Sequence, residues 1–379
     1  MLDATTHWFR RLALDWVMIT ALVPLLLAGL LTMNTFTQNS YFFERQLIWI
    51  GISLGVFFVF SLIDWRFLRQ SSVVAFLYVF GLASLLILFV FGQVTRGAQG
   101  WLSLGGFSIQ PAEFFKIVMI IILAKYFTRR HIEIAHVRHI IISGIYAFIP
   151  FVLIFLQPDF GSAVIVFFIW FGMILVAGIS KKHLLVVFIS GLIVFSGLWF
   201  GVFQDYQKQR ILSFLHPLAD IQGAGYNAFQ SMVAVGSGQF WGKGLGYGSQ
   251  SRLEFLPEHQ TDFIFASFAE EWGFVGVSIL FICFAVVIWR VLLISMLGST
   301  NFEVLFGVGV AIMLMSHFII HVGMNIGLLP VTGLPIPFLS YGGSHLLTEF
   351  MGLGILMGMR KYSLSFHRGD IHNEFLGPQ

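Results

Sequence analysis

Long apolar runs alternate with short polar connections along nearly the whole chain. A membrane-crossing helix needs about 20 mainly apolar residues. Runs of that kind fall at 12–33, 46–63, 73–92, 112–127, 139–156, 160–179, 184–203, 263–289, 303–325 and 342–359. Unpaired backbone is too costly in hydrocarbon, so each run is predicted as a helix. The pattern thus predicts an all-α polytopic membrane protein with ten transmembrane helices. One connection breaks the rhythm: 204–262 is far longer than an ordinary loop. It is rich in Gly, Gln and Ser, as in GSGQFWGKGLGYGSQS at 236–251, yet it carries Tyr226, Phe229, Phe240, Trp241, Tyr247 and Phe255. Those aromatics predict a folded loop lying on the membrane surface. A second irregular stretch, MNIGLLPVTGLPIPFLSYGGS at 324–344, holds Pro330, Pro335 and Pro337 among four glycines and cannot be regular helix. Irregular backbone at a membrane is predicted to line a buried or wet cavity.

Composition agrees. Charged residues make up 10% of the chain and hydrophobic residues 58%, against about 25% charged in a soluble domain. The single cysteine, Cys283, excludes a disulfide framework and a cysteine-based metal site. No basic face supports nucleic-acid binding. Arg10 and Arg11 precede the first run and no small-residue cleavage site follows, which predicts a retained first span. Arg66, Arg69, Arg129, Arg130, Arg138, Lys181, Lys182, Arg290, Arg360 and Lys361 join them on one side of the predicted topology, whereas most opposite-side cations fall in the long loop. Positive residues favour the cytoplasm, so both termini are expected there, with 204–262 outside. The chain reads as one integral membrane domain spanning 1–379.

The candidate chemistry collects on the predicted outer side. In LPEHQTDFIFASFAEEWG, at 256–273, Asp262 marks the boundary between an acidic loop and an apolar helix. Asp262 or Thr261 suits a helix N-cap, and an interfacial aspartate also suits a general base acting on a lipid head group. Glu270 stands about 12 Å further along the helix, too far to pair with Asp262 as glycosidase carboxylates do at roughly 5–9.5 Å. Glu258 precedes the helix and can fold closer. Glu270 and Glu271 are expected to be structural, facing the bundle interior. In RGAQGWLSLGGFSIQPAEFFK, at 96–116, Pro111 and Glu113 suit a first helical turn. Glu113 and Lys116 are three apart on one face, either as an ion pair or with Lys116 neutralising an anionic diphosphate at the outer surface. Trp101 fits an interfacial aromatic or a sugar-stacking platform. Asp159, in QPDFGSA, fits a cap or a cavity-lining acid. His317 and His321, four apart, lack an evident third metal ligand and are expected to make interhelical hydrogen bonds.

Taken together and in order, GAQGWLSLGGFSIQPAEFFK, QPDFGSA, QRILSFLHPLADIQGAGYNAFQSMVAVGSGQFWGKGLGYGSQ, FLPEHQTDFIFASFAEEWGFVG and GLLPVTGLPIPFLSYGGS make the chain resemble the SEDS family (shape, elongation, division and sporulation). The likeness runs from the first span to about Arg360 and is greater to the RodA branch than to the FtsW branch. It implies a peptidoglycan glycosyltransferase of the bacterial cytoplasmic membrane that polymerises lipid II outside. Its partner would be a class B penicillin-binding protein supplying the transpeptidase. It also implies that Asp262 is catalytic and that Trp101, Glu113, Lys116 and Arg210 match functional positions; Glu258 joins them as a candidate substrate contact. The chain departs from the family pattern at Gly100, Ala112, Gln260, His321 and His345, none of which alters Asp262.

The expected reaction joins lipid II, as acceptor, to a glycan carried on undecaprenyl diphosphate, with inversion. Charge building on the diphosphate needs cations, from Lys116, Arg210 or a divalent ion such as Mg2+. The competing expectations are a lipid-precursor flippase, or a non-catalytic scaffold for the transpeptidase.

Overall fold

A computed structural model of the chain describes residues 14–36, 41–95, 98–104, 107–128, 137–201, 225–253 and 258–374, with isolated positions between 208 and 256. Among the described residues, ten long helices correspond one for one to the ten apolar runs. They are α1 (Trp16–Phe36), α2 (Tyr41–Leu62), α3 (Ser71–Phe91), α4 (Pro111–Thr128), α5 (Val137–Leu156), α6 (Phe160–Ala177) and α7 (Lys181–Gly201). After a shorter helix, α8 (Tyr226–Ser237), follow α9 (Ile264–Met296), α10 (Asn301–Asn325) and α11 (Gly343–Glu374). Eight of the ten are long and apolar enough to cross a membrane by length and composition. The other two are α4 and α11, and the reason is their position. α4 has nearly every side chain buried among α3, α6, α10 and α11. Shielded from lipid by other helices, they can carry Glu113, Lys116, His345 and Glu349 in the interior, whereas a lipid-facing helix could not.

Close approach is bought with small residues, as is usual between membrane helices. A side chain at Gly172 would run into Ile312, and one at Gly309 into Ile120, so α6, α10 and α4 meet with little space between them. α9 packs on α1, and α2 packs on α11. At one end of the bundle Asp15 pairs with Arg290 and Arg360, and Glu303 with Arg69. Burial opposes ionisation of Asp15, but its hydrogen bond and charge pairing with Arg290 prevail and hold its carboxyl below the ordinary aspartate value.

Two features were absent from the sequence reading. The connection between α3 and α4 forms a small antiparallel sheet, β1 (Gln93–Thr95), β2 (Ala98–Leu104) and β3 (Phe107–Ile109), in that order. Trp101 faces Gln93 across β1 and β2, and Leu102 faces Ile109 across β2 and β3. The second feature is a break in α9 at Gly273, where φ is +62°. The long loop fills that break. Phe274 and Val275 donate to the carbonyls of Gln239 and Phe240, while Lys243 and Gly244 donate to those of Glu270 and Glu271. Gly242, at φ +79°, lies against the Glu271 carbonyl where no side chain fits. The glycine-rich wording of 236–251 is therefore a backbone clip on a broken helix, and the expected folded loop is present over 225–253.

Candidate active site

Asp262 stands half-buried one residue before the N-cap of α9, which is Phe263. This corrects the expectation that Asp262 or Thr261 caps the helix. The first-turn amide of Ala266 is instead accepted by Asn325 Oδ1 at 3.2 Å, from the end of α10. Asn325 Nδ2 donates to the carbonyls of Asp262 at 3.1 Å and His321 at 2.8 Å. Neighbouring residues are held just as closely. The Thr261 carbonyl accepts from Ser340 Oγ at 2.9 Å, and the Gln260 carbonyl from Tyr341 N at 3.0 Å. Thus the proline-rich stretch 326–342, irregular as expected, clamps the segment that carries Asp262. Gly333, at φ +74°, lies beneath the carboxylate, where a Cβ would come within 3.4 Å of Oδ2.

Glu258 turns the chain into this segment. Its φ is +53°, a left-handed conformation that costs a non-glycine residue about 1–3 kcal/mol and is concentrated at functional sites. Its carbonyl receives the amides of Thr261, Asp262 and Phe263, and its Oε2 accepts from Thr261 Oγ1 at 3.1 Å. The turn thereby places Glu258 and Asp262 on one loop.

Glu113 and Lys116 form a second centre. Their expected ion pair is present at 2.5 Å, but Lys116 is 0% exposed. The expectation that it faces the outer surface is not met, because its ammonium is turned into the bundle toward Glu113 Oε1 and, at 3.0 Å, His317 Nε2. Glu113 Oε2 meets His345 Nδ1 at 2.9 Å. His345 Nε2 lies 2.9 Å from Glu349 Oε1, within ion-pair range but too oblique for a directed hydrogen bond. Glu349 Oε2 accepts the amide of Phe338 at 3.1 Å. His345 thus stands between two carboxylates, Lys116 against a third partner, His317. Glu113, His317 and His345 are close enough to hold one ion. Two imidazoles and one carboxylate do not suit Mg2+, which prefers oxygen ligands, and the Lys116 ammonium already supplies the cation there.

Above this centre, Gln110 Nε2 donates to Asp159 Oδ2 at 2.6 Å, and Asp159 Oδ1 caps α6 through Ser162 N at 3.0 Å. Burial pushes the Asp159 carboxyl above the ordinary value. Gln110 N also donates to Ser344 Oγ at 3.0 Å, which ties the sheet to the start of α11. Trp101 is half-buried on β2. His317 makes the expected interhelical contact through Lys116 on α4, whereas His321 donates from Nδ1 to the Leu334 carbonyl, at 2.6 Å, in the irregular 326–342 stretch. Glu270 and Glu271 are structural. Glu270 is fully buried under Lys243, Ser249 and Gln250, and Glu271 accepts the amide of Gly246. Arg210 lies outside the described residues.

The family model for FtsW, RodA and SpoVE, described as a cell cycle protein, matches residues 6–364. The chain belongs to this family. Stage V sporulation protein E of Bacillus subtilis is 36% identical over 330 residues, covering 86% of this chain and 89% of that protein. Peptidoglycan glycosyltransferase MrdB of Escherichia coli K12 is 34% identical over 358 residues, covering 94% and 96%. Among solved structures, one described as a peptidoglycan synthase complex coordinating polymerization and crosslinking superposes with a TM-score of 0.80 at 28% identity, covering 92% of this chain and 98% of that one. The rod shape determining protein RodA of Thermus thermophilus gives 0.68 at 27% identity, covering 91% and 96%.

Asn325, His345 and Glu349 were missed as site residues. Asn325 falls four and eight residues after His321 and His317, so all three polar groups occupy one face of α10 across about 12 Å. That spacing was the available signal, and it joins the Lys116 centre to the Asp262 segment.

Proposed function

We propose that the chain is an inverting peptidoglycan glycosyltransferase that polymerises lipid II on the extracytoplasmic face of the bacterial cytoplasmic membrane, with a class B penicillin-binding protein as partner. The name of the MrdB relative supports the activity, and the polymerization and crosslinking complex supports the partner. The observation that carries the reading is Asp262 itself: a half-buried carboxylate whose main chain is fixed by α10 and the 326–342 segment, with the cap duty given to another residue.

In this reading the acceptor is lipid II and the donor is the glycan on undecaprenyl diphosphate. Asp262 takes the proton of the acceptor hydroxyl. The hydroxyl oxygen forms the new bond to the anomeric carbon from the face opposite the diphosphate. The anomeric carbon–oxygen bond to the diphosphate breaks and its electron pair leaves with the phosphate. A positioned base of this kind contributes about 10²–10⁴-fold. Trp101 and Glu258 flank the sugar path, Arg210 balances the diphosphate, and the buried Glu113–Lys116 pair acts from beneath by fixing the sheet and α11 rather than by contact. The basic groups at the Asp15 end fit the cytoplasmic side.

Purified protein supplied with lipid II and the partner in detergent tests this. Wild type is expected to form polymer and Asp262→Asn none. A folded Asp262→Asn protein that polymerises at the wild-type rate would sink the reading. Ionisable groups inside the bundle are also what a flippase needs, and detergent, where flipping has no meaning, separates the two.

A further inference from the structure

From the hydrogen bonds around the start of α9 we infer that Asn325 is the positioning residue of the active site, capping α9 from another helix so that Asp262 does not have to. This rests on the reading of Asp262 as the base. An amide side chain offers two donor hydrogens and two acceptor positions. Asn325, 0% exposed, uses all of them: Nδ2 on the carbonyls of Asp262 and His321, Oδ1 on the amide of Ala266 and the hydroxyl of Ser231 at 3.2 Å. The partners leave only one orientation of the amide, since each nitrogen contact is a carbonyl and each oxygen contact is a donor.

The consequence is geometric. A helix start leaves first-turn amides without intrahelical partners, and an aspartate beside them is a strong candidate to bond them. A carboxylate so engaged is turned along the helix axis and is no longer directed at a substrate. Asn325 meets the Ala266 amide from outside and at the same time grips the main-chain carbonyl of Asp262. Both contacts come from one rigid planar group, so the carbonyl of residue 262 and the amide of residue 266 are set relative to each other. The Ser231 contact brings α8 of the long loop to the same point, its one hydroxyl proton shared between Asn325 Oδ1 and, more closely at 2.9 Å, the Asn325 main-chain carbonyl.

The test uses the full-length chain in detergent with its partner and lipid II. Asn325→Ala removes all four side-chain contacts, and Asn325→Leu removes them while keeping the volume. Misplacement of a reacting group by about 1 Å costs on the order of 10²-fold, so kcat per folded protein should fall about 10–100-fold. The KM for lipid II should stay within about two-fold, since Asn325 is buried away from the lipid. The folded fraction is read by size exclusion of each variant; Asn325→Leu avoids the cavity that Asn325→Ala leaves, so kcat is read on the fraction of each that folds. Wild-type kcat in either folded variant, with Asp262→Asn inactive, overturns the role of Asn325 alone. So does a rise in KM with kcat preserved. Wild-type kcat in Asp262→Asn instead overturns the reading of the base on which this rests.

Discussion

Removing Lys116 and Glu113 together should damage the protein less than the two single removals added together. The structure sets the arithmetic. In the buried centre Glu113 meets the Lys116 ammonium on one side and the His345 ring on the other, and the ring also faces Glu349. At 2.5 Å the gross attraction of the Lys116–Glu113 pair is roughly 7 kcal/mol at an effective dielectric constant of about 20. Desolvating both ions costs several kcal/mol each and cancels most of it. Lys116→Met leaves the buried Glu113 carboxylate without its ammonium, an uncompensated charge costing about 3–5 kcal/mol. Glu113→Gln leaves the opposite imbalance. The double substitution removes both charges of the pair and leaves neither stranded, so its cost should fall below the sum of the singles by about 2–3 kcal/mol. With unfolding entropy near 2.1 cal/mol/K per residue over 379 residues, a 4 kcal/mol loss lowers Tm by about 5 °C. Thermal scans of detergent-solubilised protein at one fixed rate measure all four proteins. A double variant destabilised by the full sum of the singles would refute the charge-balance argument.

Gly273→Ala should destabilise by more than about 2 kcal/mol, because φ +62° is left-handed and the added methyl meets the backbone of Trp241 and Gly242; protease sensitivity of the 238–250 clip should rise with it. Asp15→Asn should cost about 2 kcal/mol, below the full buried-pair figure because Arg290 and Arg360 are partly exposed. Since the folded pKa of Asp15 is depressed, its contribution is fully present above the unfolded value near 3.8 and is lost as pH falls through the still lower folded value. Wild type and Asp15→Asn should therefore differ in Tm by a constant amount from pH 7 to 5 and converge only below about pH 4; convergence already at pH 6 would contradict the pairing. Glu270→Gln should loosen the loop while leaving the kcat of folded protein within about two-fold, because Glu270 bonds Lys243, Ser249 and Gln250 and not the Asp262 segment.

The apolar rhythm of the chain determined the ten helices, because a membrane admits one economical way of closing backbone hydrogen bonds. It also determined the irregular 324–344 stretch, since three prolines and four glycines leave no helical alternative. Motif order made the family and Asp262 legible. What it could not assign were partnerships between residues far apart in sequence. Glu113 and Lys116 were readable as an i,i+3 pair, but His345 and Glu349 come from more than 200 positions away and complete the centre only when α4 and α11 meet. Lys116 was placed at the surface for that reason; its true environment depends on which helices shield α4. The cap was misassigned for the same reason. Local propensity favours Asp262 or Thr261 beside a helix start, whereas the fold brings Asn325 to the Ala266 amide from the end of α10. Local chemistry named Asp262 as the candidate base, and tertiary contact alone decided what holds it in place.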